Sequence, residues 1–118
     1  MSQYVSTPAL GAIFSSKGAE RVLLYLQNYG DGYAKAIADT FGMSLSQVQN
    51  QLQKFEAAGV LVSRTVGSAR IYYWNQRNPT VGHLREFLQR ALDDLPRETV
   101  ELYFRQRRRP RRPAKRSS

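Results

Sequence analysis

Residues 33–58 constrain the fold of this chain most, because their pattern predicts two helices joined by a tight corner at Gly42 and Met43. Before the corner, apolar residues recur at helical spacing, at Ile37, Ala38 and Phe41. After the corner they recur at i, i+3, i+7 and i+10, at Leu45, Val48, Leu52 and Phe55. Ser44 and Gln47 match the capping-box pattern of a helix start. The stretch therefore predicts a helix-turn-helix with a well-defined second helix.

The face of the second helix opposite its apolar stripe is polar but carries almost no charge. Its residues are Ser46, Gln47, Gln49, Asn50, Gln53 and Lys54. A solvated helix face usually mixes acidic and basic residues, since opposite charges at i, i+4 stabilise the helix. Asn and Gln are also the side chains that pair with adenine edges in the DNA major groove. The face therefore fits base reading, and it fits equally well an ordinary polar surface built from good helix formers.

Length and cysteine content limit the class of protein. A chain of 118 residues is expected to form one domain with its own core, without disulfides or structural metals to support it. Cysteine is absent, which excludes disulfides, thiolate metal sites and thiol catalysis. Neither a secretory leader pattern nor an apolar run of roughly 18 residues is present. We therefore expect a soluble cytoplasmic protein with no membrane partner.

The positive charge is concentrated at one end of the chain. Nine Lys or Arg residues and two Glu lie in residues 95–118, so this segment carries +7 of the formal net charge of +9. Such a distribution favours a polyanionic partner, most economically a nucleic acid, although a basic tail also simply keeps a protein soluble. We therefore divide the chain into a folded domain at residues 1–94 and a basic extension at residues 95–118, whose last part is expected to be disordered.

The segments around the two central helices complete the prediction. Residues 1–7 are expected to form a poorly ordered arm, followed by a short helix from Pro8 and a longer one over residues 19–28. Residues 28–32 fit a turn. Residues 60–66 and 69–74 are rich in β-branched and aromatic residues around a Gly-Ser turn, which predicts a two-stranded hairpin. A last helix is expected to begin with Thr80 as its N-cap.

This order of elements resembles the ArsR-like winged helix-turn-helix transcriptional regulators of bacteria and archaea. The resemblance covers about residues 9–92 and is carried by residues 34–38, 42–49 and 52–62. The last of these segments joins the second helix to the hairpin through small residues, a glycine and an apolar strand. The resemblance implies a mainly α fold with a small β-hairpin, the winged helix-turn-helix, in which the second helix is the recognition helix and the hairpin is the wing.

The resemblance also implies a function and the residues that perform it. Recognition-helix side chains would enter the major groove, whereas Lys54 and the two arginines beside the wing turn would contact the DNA backbone. The expected DNA-binding residues are Ser44, Ser46, Gln47, Gln49, Asn50, Gln53, Lys54, Arg64, Arg70, Arg107, Arg108 and Arg109. For the wing arginines, simple solvation on an exposed hairpin is the alternative. Members of the family bind double-stranded DNA as homodimers, built from the first and C-terminal helices.

The apolar residues at both ends fit such an interface and compete with a role in the protomer core. In the first helix they are Leu10, Ile13 and Phe14, and in the last they are Leu84, Phe87, Leu88 and Leu92. In the tail, the run that includes Arg107–Arg109 fits either an arm that follows phosphates or an idle solvated extension.

Family metal sites use Cys and His, whereas this chain has no Cys and a single histidine, His83. Since a structural site needs about four ligands, we predict no metal and no other cofactor. No catalytic set is recognisable, so we predict a non-enzymatic protein. The alternative function is a winged-helix module that binds RNA or a protein partner, with the tail driving affinity. In that case Trp74, Tyr72 and Tyr73 are candidates for stacking on bases.

Overall fold

The computed structural model describes residues 4–14 and 16–106. In this part of the chain it contains six helices and three strands. They are α1 (Pro8–Ile13), α2 (Lys17–Tyr29), β1 (Asp31–Tyr33), α3 (Ala34–Phe41), α4 (Leu45–Ala57), β2 (Leu61–Val66), β3 (Ala69–Trp74), α5 (Pro79–Asp94) and α6 (Arg97–Tyr103). The predicted mainly α fold with a β wing is confirmed.

The helix-turn-helix formed by α3 and α4 has the corner that the sequence predicts. Gly42 adopts the left-handed conformation with φ of 67°, and Met43 donates its backbone N–H to the Ala38 carbonyl. Ser44 then caps α4 in a capping box with Gln47. On the inner face of α4, Val48 and Leu52 are fully buried. The amphipathic period of α4 thus turns its opposite, polar face outward.

The sheet has three strands rather than the two of a hairpin, so the assignment of residues 28–32 to a turn was wrong at its end. Strand β1 pairs antiparallel with β3, giving the order β1-β3-β2. Gly32 lies opposite Tyr72, and a Cβ added at Gly32 would lie only 2.8 Å from the Tyr25 ring. Strand β1 therefore needs glycine at position 32, because no other residue fits beside the Tyr25 ring. A sequence pattern instead reads Gly32 as a turn signal, which explains the wrong assignment.

The core is built around α2, whose residues Val22, Leu24 and Leu26 are fully buried. The indole N–H of Trp74 donates to the Leu26 carbonyl at 3.2 Å and connects β3 to α2. Helix α2 begins two residues earlier than predicted, because Ser16 caps it.

The start of α5 also differs from the prediction. Its N-cap is Asn78, whose side chain accepts from the Thr80 backbone N–H at 3.0 Å, and Pro79 occupies the first turn. Thr80 is therefore not the cap. Proline is favoured in the first turn of a helix because its missing N–H has no partner there in any case.

The two ends of the described chain pack together. Val5 exchanges hydrogen bonds with the Thr99 side chain, at 3.2 Å through its N–H and 3.0 Å through its carbonyl. The Tyr4 ring meets Phe41, Tyr103 and Phe104 edge-on, with ring centroids 5.6–6.3 Å apart. Residues 4–7 are therefore not a loose arm.

The core also continues beyond residue 94. Leu95, Thr99 and Phe104 are all buried, Thr99 completely. The boundary predicted after residue 94 thus runs through the middle of this packing.

Candidate nucleic-acid interface

The outer face of α4 presents the predicted polar side chains to solvent. All are exposed: Ser44, Ser46, Gln47, Gln49, Asn50, Gln53 and Lys54. Because Val48 and Leu52 fix the opposite face in the core, the rotation of α4 about its axis is determined. The structure therefore brings together on one exposed surface most of the residues that the sequence selects.

The two wing arginines lie on opposite faces of the sheet. Arg64 pairs across the strands with Ile71, whereas Arg70 pairs with Thr65. Since cross-strand partners share a face and neighbours along a strand alternate, Arg70 lies on the face that carries Ser63 and Arg64 on the other. The sequence presents the two arginines as equivalent, but only Arg70 lies toward the recognition helix.

A cleft of about 330 Å³ separates α4 from the wing. Its lining includes Lys35, Gln49, Gln53, Ser68, Arg70 and Tyr72. Lys35, which sequence reasoning missed, forms an i, i+4 ion pair with Asp39 at 3.2 Å. Both partners are largely exposed, so the pair is weak and leaves Lys35 able to turn toward another anion. The cleft thus has one cation on each wall.

A second cleft, of about 310 Å³, lies on the other side of α4, against the start of α2. Lys17, Arg21, Gln47, Asn50 and Gln51 contribute to its lining. The Arg21 guanidinium carbon lies 4.8 Å from the centre of the Tyr4 ring, and this cation–π contact restrains a side chain that lines the cleft. Sequence reasoning missed both basic residues because they come from a helix that the pattern marks only as core.

Electrostatics couple α4 to the wing. Burial raises the pKa of Tyr72 above its ordinary value. The nearby Glu56 carboxylate raises this pKa further, whereas the Arg70 guanidinium acts in the opposite direction. Glu56 and Arg70 therefore both lie within electrostatic reach of the Tyr72 hydroxyl.

The aromatic residues of β3 are less accessible than base stacking requires. Tyr72 and Trp74 are buried, and Tyr73 is half-buried. Tyr72 is 5% and Trp74 3% exposed, so neither ring offers enough surface for a base to stack on, although Tyr72 contributes to the lining of the cleft beside the wing.

His83 is exposed, with its Nδ1 3.7 Å from a carboxylate oxygen of Glu86 on the next turn of α5. Within residues 4–14 and 16–106, no group of three or more His, Cys, Asp or Glu side chains is arranged to hold a metal ion. Among the helices of the same ranges, none combines the length and the hydropathy of a membrane span. Arg107, Arg108 and Arg109 lie outside the described residues.

Neither the protein-family models nor the curated proteins gave a match to this chain. Solved structures do resemble it. The antimony-specific transcriptional repressor AntR superposes with a TM-score of 0.56 at 22% identity, over 73% of this chain and 76% of its own. Mb0332 from Mycobacterium bovis, described as a possible ArsR-family regulator with a homodimeric winged helix-turn-helix DNA-binding domain, gives 0.53 at 24% identity, over 72% and 76%.

A further crystal structure, of a possible transcriptional regulatory protein from Mycobacterium bovis, gives a TM-score of 0.52 at 24% identity, over 72% of this chain and 88% of its own. At these identities the likeness is one of fold. It confirms the winged helix-turn-helix fold, and the resemblance to ArsR-like regulators is confirmed at that level.

Proposed function

We propose that this chain is a sequence-specific regulator of transcription, and we expect it to act as a repressor. In this proposal α4 enters the major groove of double-stranded DNA. The observation that carries the proposal is the exposed amide face of α4 with a cation-lined cleft on each side. A helix in the major groove has a sugar-phosphate strand along each flank, so amides would face base edges while cations face phosphates.

Individual residues take different roles in this arrangement. Gln49, Asn50 and Gln53 are exposed on this face and are the proposed base-reading residues. The hydroxyls of Ser44 and Ser46, at the N-terminus of α4, suit phosphate oxygens. The basic residues Lys54, Arg64 and Arg70, and the tail residues Arg107, Arg108 and Arg109, would contact the backbone without reading sequence.

We also propose that the chain acts as a homodimer through α1 and α5. Ile13 is 58% exposed and Phe87 is 37% exposed, although both are large and apolar. Ala9 and Phe87 line the same shallow cleft between α1 and α5. By contrast, Leu10, Leu88 and Leu92 are buried within the protomer, so they support the helices rather than an interface. The homodimeric domain of Mb0332 supports this assembly.

The proposal involves no metal, no cofactor and no enzymatic activity, in a cytoplasmic protein. Although AntR is described as antimony-specific, this chain contains no cysteine and so lacks the thiolates that soft metal ions favour. Duplex DNA is preferred over RNA as the partner because Tyr72 and Trp74 are buried and cannot stack on splayed bases.

The decisive experiment is selection of binding sites from random duplex DNA with the full chain, at about physiological salt, where non-specific binding is weak. A palindromic motif is expected, with half-sites about one helical turn apart, because two symmetry-related α4 helices would meet one face of the duplex. Asn50→Ala should relax the motif at one base pair of each half-site, whereas Arg77→Ala, in the segment that follows β3 and away from the wing turn, should preserve it. Recovery of no motif would contradict the proposal.

A further inference from the structure

Three side chains form a hydrogen-bond chain from the recognition helix to the wing. The Ser63 hydroxyl donates to Oε2 of Glu56 at 2.7 Å, and Arg70 donates through Nη1 to the same hydroxyl oxygen at 3.0 Å. Glu56 lies in the last turn of α4, Ser63 in β2 and Arg70 in β3. These hydrogen bonds therefore connect three elements that are neighbours only in the folded protein.

The geometry follows from the strand register. Arg70 lies directly opposite Thr65, so Ser63, two residues earlier on the same face, is its diagonal neighbour. The long side chain of Arg70 can therefore reach Ser63. Arg64 lies on the other face of the sheet and cannot take its place. A carboxylate only accepts and a guanidinium only donates, so the single hydroxyl proton of Ser63 must point to Glu56. The donor and the acceptor of each hydrogen bond in the series are therefore determined by the side-chain types.

We infer that Ser63 and Glu56 are positioning residues, which hold Arg70 in the cleft between α4 and the wing so that it binds a DNA phosphate there. The inference rests on the proposed function and identifies the ligand of that cleft. Arg70 lines the cleft together with Lys35 on its other wall. A guanidinium has five N–H donors, so the bond from Nη1 to Ser63 leaves donors for a bidentate phosphate contact.

The serine is essential to this arrangement because it separates the opposite charges. Of the residues that the structure describes, Arg70 and Glu56 form no direct ion pair within 4.0 Å, and the Ser63 hydroxyl lies between them. A direct pair would occupy the guanidinium and oppose phosphate binding, whereas a bond through a neutral hydroxyl anchors it. Fixing an exposed arginine before DNA arrives also reduces the side-chain entropy lost on binding.

The first test measures affinity for the selected duplex by fluorescence anisotropy. Ser63→Ala should weaken binding about three- to tenfold, the equivalent of one hydrogen bond, while Ser63→Thr restores it by keeping the hydroxyl. In an Arg70→Ala background, Ser63→Ala should have almost no further effect, because its action passes through Arg70. Thr65→Ala, on the same face of β2, is the matched control and should bind normally. Thermal unfolding of each variant checks that all are folded.

The second test needs no DNA. NMR ¹⁵N relaxation measured at the side-chain Nε of Arg70 should show a restrained guanidinium in the free wild-type protein. In Ser63→Ala and in Glu56→Ala it should show a mobile one. Restoration by Ser63→Thr is again expected. Equal mobility in wild type and Ser63→Ala would contradict the anchoring role directly.

The outcomes separate this inference from the proposed function. Two outcomes would overturn the inference and leave the proposed function in place, provided that the wild-type chain binds the duplex. In one, Ser63→Ala causes the same loss of affinity in the wild-type and Arg70→Ala backgrounds; in the other, it causes no loss. Failure of the wild-type chain to bind any duplex would overturn the proposed function, and with it the phosphate as the ligand of Arg70. A loss confined to the background that contains Arg70 supports both.

Discussion

Ser44 and Gln47 hydrogen-bond to each other in both directions at the start of α4. The Gln47 backbone N–H donates to the Ser44 hydroxyl at 3.2 Å, and the Ser44 backbone N–H donates to the Gln47 side-chain carbonyl at 3.3 Å. The amide oxygen of Gln47 is thus engaged by the protein itself. Pairing with adenine through two bonds needs both that oxygen and the amide nitrogen. Gln47 therefore has a structural role in the capping box, of which Gln49 and Asn50 on the same face are not part.

Loss of the cap should destabilise the whole domain. We expect Ser44→Ala to lower the free energy of unfolding by about 1 kcal/mol, since an orphan backbone N–H at the helix start loses its acceptor. Urea unfolding followed by circular dichroism measures this difference. Ser44→Asp keeps an acceptor at the same position and should remain close to wild type. Equal stability of the alanine and aspartate variants would show that the cap contributes nothing.

Base-specific binding should depend more on Asn50 than on Gln47. For Asn50→Ala we expect a loss of about 1–3 kcal/mol against the selected site, and relaxed discrimination at one base pair of each half-site. Gln47→Ala should lose less discrimination, because its oxygen already serves the capping box. Binding to a set of duplexes with single base-pair changes measures both effects. A uniform loss over all sequences for Asn50→Ala would instead indicate a backbone contact.

The helix-turn-helix could be predicted because each of its signals is local. The Ser44–Gln47 box, the glycine at position 42 and the buried stripe of α4 all lie within a few residues of the feature they specify. Strand β1 could not, since it has three residues and its partner, Tyr72, is 40 positions away from Gly32. Its formation depends on the pairing of distant segments, which carries no local sequence signature.

The candidate site divides in the same way. Exposure of Gln49 and Asn50 follows from the helical period alone, so the sequence identified them. Lys17 and Lys35 reach the two clefts only because α2 and α3 pack against α4 at particular angles. The bond from Arg70 to Ser63 likewise depends on the pairing register of β2 and β3, which makes the two residues diagonal neighbours. The sequence predicts the hairpin but does not assign this register.

Alkaline pH should destabilise the protein through Tyr4. Its hydroxyl donates to Glu20, which is only 1% exposed, at 2.6 Å. Burial raises the pKa of Tyr4 above its ordinary value of about 10, and the Glu20 bond and charge raise it further against the effect of Arg21. The folded state therefore holds the phenol proton more tightly than the unfolded state. This stabilisation is complete below about pH 10 and is lost as the pH rises toward the folded-state pKa.

Tyr4→Phe tests this linkage. At neutral pH the variant should lose about 1–3 kcal/mol, because the buried Glu20 carboxylate loses a donor. Between about pH 9 and pH 11 its free energy of unfolding should fall less steeply than that of wild type. Tyr72→Phe should remove a second part of the slope, since burial raises the pKa of Tyr72 as well. Identical slopes for wild type and Tyr4→Phe would contradict the assignment to Tyr4.

The end of the folded domain should lie after Gln106 rather than after Asp94. The Gln106 backbone N–H donates to the Tyr29 hydroxyl at 3.0 Å, and that hydroxyl donates to the Tyr103 carbonyl at 2.9 Å. Removal of the Phe104 side chain alone is expected to cost about 3–5 kcal/mol, because it is buried. A chain that ends at Asp94 should therefore be unfolded or nearly so, by circular dichroism and urea titration.

A chain that ends at Gln106 keeps these contacts and tests the basic tail separately. It should unfold at the same urea concentration as the full chain, yet bind the selected duplex with a flatter dependence on salt. Each phosphate that Arg107, Arg108 or Arg109 neutralises contributes about 0.9 to the slope of log affinity against log salt. Because residues 107–118 contain seven Lys or Arg, a slope lower by about 2–6 would assign the tail to the DNA backbone. An unchanged slope would show that the tail is a solvated extension, because counterion release reports every phosphate contact irrespective of sequence.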